Sequence, residues 1–94
     1  MTNDIKLSLL KADLQMTTNV NDEYLEFLLR SAVKLIEREG IINDGSDEYS
    51  LIQIQYAAYM FRKRASSDTK MPRYLRWEMN NFLIHQKAQV KNDI

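Results

Sequence analysis

His85 is the only histidine in the chain, and there is no cysteine. One chain can therefore build neither a two-histidine metal site nor a helix-borne zinc motif, and it has no thiolate nucleophile and no disulfide framework. A lone histidine late in an amphipathic helix, with no motif to supply a positioned partner, reads as a surface or boundary residue rather than a general base. Carboxylates gather as Asp22 with Glu26 and as Asp44, Asp47 and Glu48. These sit at a helix start and in a turn, where capping and the helix dipole account for them. Gly40 and Gly45 have the spacing of a phosphate loop, but Ser46 stands where its lysine would be and no strand precedes them. Enzyme activity is not expected, and no metal or cofactor is implied.

The region from Tyr59 to Trp77 offers a different chemistry. Arg62, Lys63, Arg64, Lys70, Arg73 and Arg76 fall inside it, opposed only by Asp68, with Tyr59, Phe61, Tyr74 and Trp77 interleaved. Cations among aromatics suit phosphate contacts with base stacking. They equally suit a protein interface anchored by Arg, Tyr and Trp. In a third reading Phe61 and Trp77 are core and the cations merely cap the end of a helix. The formal net charge is zero, whereas a specific DNA reader is more typically basic overall. Residues 1–50 carry five basic and ten acidic side chains, and residues 51–94 carry eight and three. Halves of opposite charge suit a head-to-tail contact between copies or a basic face for a polyanion, unless they are simply two solvated faces.

Only two glycines and one proline occur in 94 residues, too few turn residues for a β-sandwich or barrel. The expected fold is all-α: a single domain over residues 1–94, a compact bundle of about four helices with a short polar C-terminal tail. A first helix is expected over about Asp4–Gln15, with Leu7, Leu10 and Leu14 on one side and Ile5 and Leu9 widening the stripe. After a polar break, Asn21 is placed to cap a second helix whose Leu25, Leu28, Leu29, Ala32, Val33 and Ile36 form its apolar face, and Gly40 ends it. Ile41–Asp47 reads as a loop. Ile52, Ile54 and Tyr56 alternate with Gln53 and Gln55 as a strand would. The unbroken continuation to Phe61 instead favours a third helix over about Asp47–Ala65, with Leu51, Ile54, Ala58 and Phe61 on one face. Pro72 fits the first position of a last helix with Leu75, Met79, Phe82, Leu83 and Gln86 on one side, and Gln89–Ile94 reads as a frayed tail. Tyr24, Phe27 and Tyr59 lie at stripe edges, facing either the core or neighbours. No run reaches membrane-spanning length and no signal peptide is visible, which fits a soluble intracellular protein.

The order of these segments resembles a known family. A leucine-rich helix with Leu9, Leu10 and Leu14 is followed by Asn21-Asp22-Glu23-Tyr24-Leu25 opening a helix through Ile36. Next comes a helix carrying Tyr56-Ala57-Ala58-Tyr59-Met60-Phe61-Arg62-Lys63-Arg64, and then Met71-Pro72-Arg73-Tyr74-Leu75-Arg76-Trp77 with Asn80, Asn81 and Leu83. This is similar to the small head–tail connector proteins (adaptor or head-completion proteins) of tailed bacteriophages and prophages, over about Leu7 to Lys87. The resemblance implies a non-catalytic virion protein at the head–tail interface, made in the host cytoplasm. It would form a homo-oligomeric ring beneath the portal protein, extend the channel for double-stranded DNA, and offer a platform for the next head-completion or tail protein, away from any membrane. One departure is the short polar tail, where related proteins often use C-terminal extensions to grip the portal. The rival reading is a small DNA-binding helical module, such as a helix-turn-helix regulator or a terminase small subunit, with the last two helices approaching the groove.

A head-to-tail ring needs two unlike complementary patches on each subunit. The acidic candidates are Asp22, Glu23, Glu26, Glu37 and Glu39. The basic and aromatic candidates are Arg62, Arg64, Arg73, Tyr74, Arg76 and Trp77. On this account Glu26→Arg and Arg73→Glu each reduce assembly into connectors. If neither single change affects it, charge complementarity between these faces is not what joins the copies.

Overall fold

A computed structural model describes residues 1–92, with side chains described through Gln89. Four helices follow one another: α1 (Asn3–Asp13), α2 (Asp22–Arg38), α3 (Asp47–Ala65) and α4 (Arg73–Asn92). There is no strand among the described residues, so the alternation at Ile52–Tyr56 is part of a helix. Helix α4 continues through Gln89 to Asn92, so these four residues of the expected tail are helical; residues 93–94 lie outside the described ones.

Local chemistry explains most helix ends. The Thr2 hydroxyl accepts from the Ile5 amide at 3.2 Å and the Ser46 hydroxyl accepts from the Tyr49 amide at 3.1 Å, capping α1 and α3. Asn21 occupies the N-cap of α2, but its side chain makes no capping bond. Its backbone lies at φ −101°, ψ 9° rather than in the extended region that aims the side chain at the first turn. Helix α1 stops two residues sooner than its apolar pattern suggests. Gln15 adopts φ 58°, with its amide donating to Ala12 and the Met16 amide donating to Lys11. That is a Schellman closure made without the usual glycine. Gly40, at φ 93°, closes α2 as expected.

Helix α3 is the centre of the bundle, touching each of the other three. The N-terminal amine of Met1 lies 3.7 Å from Asp47 and Arg62 lies 3.1 Å from Asp13, so α1 runs parallel to α3. Tyr24 meets Phe61 with ring centres 6.2 Å apart, and Tyr49 meets Phe82 at 6.4 Å, which sets α2 and α4 antiparallel to α3. Burial follows from this position. Tyr49, Ile52, Ile54, Tyr56, Ala57 and Ala58 are all buried, and they point in most directions around the helix. The single apolar face expected for α3 is therefore wrong in part: Ile54 and Ala58 are buried and Phe61 half-buried, but Leu51 is 47% exposed. The stripes of α2 and α4 hold, with Leu25, Leu28, Leu29, Ala32 and Ile36 in the core and Leu75, Met79 and Phe82 closing it from the other side.

Enclosing α3 buries polar groups as well. Gln53 Nε2 donates to the Leu29 carbonyl at 2.8 Å, while its Oε1 has no partner. The Tyr49 hydroxyl is also buried and unpartnered. A second amide is better used: Gln86 accepts from the Ile42 amide at 2.9 Å and donates to the Ile42 carbonyl at 2.7 Å, clamping the α2–α3 loop to α4. The molecule measures 49 × 31 × 18 Å, and α4, its longest helix at 20 residues, is about 30 Å long.

Burial, with Glu37 and Asp44 adding to it, holds the Tyr49 phenol above its ordinary value of 10.0; burial does the same for Tyr56. A phenol that stays neutral in the folded state but ionises when unfolded contributes stability below pH about 10 that is lost as pH rises further. Tyr49→Phe removes both an orphaned hydroxyl and a source of this dependence. It is expected to stabilise by about 1 kcal/mol at neutral pH and to flatten the alkaline fall, read as melting temperature against pH. A lower melting temperature at neutral pH would show that the hydroxyl has a partner.

Candidate protein-interaction surface

The sequence candidates separate into three places. Asp22, Glu23, Glu26 and Glu37 lie on α2, Arg62 and Arg64 on the last turns of α3, and Arg73, Tyr74, Arg76 and Trp77 on the first turns of α4. Residues 66–72 join the last two groups.

Several of these charges are taken up within the subunit. Asp22 lies 3.0 Å from Lys11 Nζ, an ion pair too oblique for a directed hydrogen bond, and the same ammonium donates to Asn19 at 2.7 Å. Arg62 donates to the Asp13 carboxylate at 3.1 Å and to the Asp13 carbonyl at 3.2 Å, where its charge also suits the C-terminal end of α1. Arg76 donates to Glu39 at 3.1 Å, tying α4 to the end of α2. The Arg64 guanidinium lies 4.6 Å from the Tyr24 ring centre, and Lys63 Nζ lies 5.7 Å from that of Tyr59. By contrast Glu23, Glu26, Glu37 and Arg73 are exposed and form no ion pair among the described residues. The α2 acids share that outer face with Arg30, Lys34 and Arg38, so the face is mixed in charge rather than acidic.

The aromatics resolve differently from one another. Phe61 is half-buried against the core, and Tyr24 and Tyr59 pack at its edge. Phe27 is 53% exposed. Trp77 is 68% exposed, so it is not a core residue. With Tyr74 and Ile84 it forms a second apolar stripe along α4, at spacing i, i+3, i+10 and on the side opposite Leu75, Met79 and Phe82. Sequence reasoning took Tyr74 and Trp77 as candidates but missed Ile84 and the exposure of Leu51. The signal for Ile84 was present, because residues 74, 77, 81 and 84 share one face of an ideal helix.

Several depressions lie along α3, on different sides of it. One of about 620 Å³ is lined by Leu35, Tyr56, Tyr59, Met60 and Met71, with Lys63, Arg64 and Arg76 around it. Another, of about 450 Å³, lies where Arg62 meets Asp13. A third separates α3 from α4 beside Trp77 and Leu51. His85 is exposed, and its Nε2 lies 3.2 Å from the Gln89 amide nitrogen. No group of three His, Asp or Glu side chains is arranged to hold a metal ion among the described residues, and no described helix is long and apolar enough to cross a membrane. No family model matches the chain, and no curated protein or solved structure matches it.

Arg62 is paired with Asp13 of its own subunit. Both side chains of the pair are about half exposed, so Arg62→Ala is expected to cost at most about 1 kcal/mol in urea unfolding. It should leave association with other chains unchanged. A loss of association in a variant of unchanged fold would return Arg62 to the interface.

Proposed function

We propose that this chain is a non-catalytic structural subunit that works by docking to other protein chains, and specifically a head–tail connector of a tailed bacteriophage or prophage. The observation that carries the docking role is the outer stripe of α4. A tryptophan 68% exposed, continued by Tyr74 and Ile84, leaves in water the large side chains that best anchor protein contacts. Arg73 lies beside them with no ion pair among the described residues. A 94-residue bundle has a small core, and burying this stripe against neighbours would add to its stability.

The more specific assignment rests on the order and spacing of the helices and on the Pro72-Arg73-Tyr74-Leu75-Arg76-Trp77 stretch, which resemble the connector family. In this role the subunits form a ring under the portal protein, around the path of packaged double-stranded DNA, and receive the next head-completion or tail protein. The protein acts in the virion at the head–tail junction after synthesis in the host cytoplasm.

Particles produced without the chain are expected to be DNA-filled heads and separate tails, joined when purified chain is added back. Normal tailed particles made in its absence would end the connector reading. Tight duplex binding by the isolated chain that weakens steeply with salt, by roughly 0.9 logarithmic units per phosphate contact for each tenfold rise in salt, would favour the DNA-binding alternative.

A further inference from the structure

The groove between α3 and α4 is one-sided in its chemistry. Ile52 and Phe82 line it as buried side chains, Leu51 and Trp77 as exposed ones, and Glu48 and Glu78 as charges, around a space of about 360 Å³. Neither glutamate forms an ion pair among the described residues. Gln55 also lines the groove, and its side-chain carbonyl oxygen is shielded from solvent without a hydrogen-bond partner. Apolar walls favour an apolar occupant. Two carboxylates and an unpaired acceptor favour one that is cationic and donates hydrogen bonds.

The same chain carries such a surface elsewhere. At the corner between α3 and α4, Lys63, Lys70 and Arg73 are exposed and free of ion pairs among the described residues. Met71 is half-buried beside them and Tyr74 is 52% exposed. Glu48 lies in the first turn of α3 and Lys63 in its last turns, roughly 22 Å apart along that helix, while on α4 Arg73 lies about one turn before Trp77, so the two surfaces adjoin there and diverge along α3. Unlike patches displaced along one subunit join copies head to tail.

We propose that the α3–α4 groove receives the basic Lys63–Lys70–Arg73 corner of a second copy of this chain. Tyr74 and Met71 of the incoming copy cover Trp77 and Leu51, its cations meet Glu48 and Glu78, and one of its donors reaches the Gln55 oxygen. This rests on the reading of the chain as a ring subunit and names the two faces that meet.

Trp77 is the only tryptophan, so its emission reports the groove directly. The whole chain, followed by tryptophan fluorescence and sedimentation velocity from micromolar to millimolar concentration, should shift its emission to the blue as larger species form. Trp77→Asp spoils the groove and leaves the corner intact; Arg73→Glu does the reverse. Each alone should associate about tenfold or more weakly, with an unchanged circular dichroism spectrum. Mixed in equal amounts they should form dimers and stop there, because only one productive contact is possible per pair. The tryptophan of the Arg73→Glu copy should shift to the blue in that mixture. Wild-type emission that stays constant to millimolar concentration, or a mixture that behaves as the sum of its parts, overturns the assignment. If that happens while particles made without the chain still lack tails, the connector reading stands and only the groove assignment falls. A groove contact in a chain whose absence leaves tailed particles intact would do the opposite.

Discussion

The enclosure of α3 is the constraint on which the rest of the structure depends. A helix touched by three others has to fill space in most directions, and this one does so with Tyr49, Ile52, Ile54, Tyr56, Ala57 and Ala58. The two alanines supply no bulk, which lets neighbouring backbones come close, while the tyrosines supply volume at the cost of a hydroxyl each. The same crowding traps the Gln53 amide and leaves its oxygen and that of Tyr49 without partners. Each such atom costs on the order of 1–3 kcal/mol, a large fraction of what a domain of this size retains. The core is therefore full but not chemically complete.

That constraint also explains where the surface chemistry lies. With α3 occupied, α4 has a single helix to pack on, together with the α2–α3 loop held by Gln86. One side of α4 satisfies those neighbours and its other side carries Tyr74, Trp77 and Ile84 into solvent. The basic residues divide in the same way. Arg62 and Arg76 hold α1 and the end of α2 in place, and Lys63, Lys70 and Arg73 at the α3–α4 corner form no ion pair among the described residues. Arg64 belongs to neither group, because its guanidinium stacks on Tyr24.

Much of this was legible in the residues. The stripe of α2 and the buried side of α4 follow from periodicity, because each presents one dominant face to α3, and the stop at Gly40 and the extent of α3 follow from the turn residues that bound them. What escaped notice has a common cause. The end of α1 depends on a left-handed Gln15, a conformation that its side chain does not advertise. The silent Asn21 cap depends on the backbone angles that Asn21 itself adopts. The exposure of Leu51 depends on which sides of α3 its neighbours take, and the pairing of Arg62 depends on α1 lying parallel to α3. These are properties of arrangement between elements, which local patterns do not carry.

The Gln86 clamp separates where the α2–α3 loop sits from what the loop is made of. Both of its hydrogen bonds go to main-chain atoms of Ile42, whose own side chain points largely into solvent. Any residue with a free amide hydrogen can occupy position 42 and keep the grip. Position 86 has no such latitude: glutamate cannot donate, lysine cannot accept, and asparagine is one methylene short. An uncharged amide also holds at any pH the protein survives. Variation in the loop can therefore accumulate at little cost to the fold, while the residue that anchors it lies more than forty positions away, on another helix.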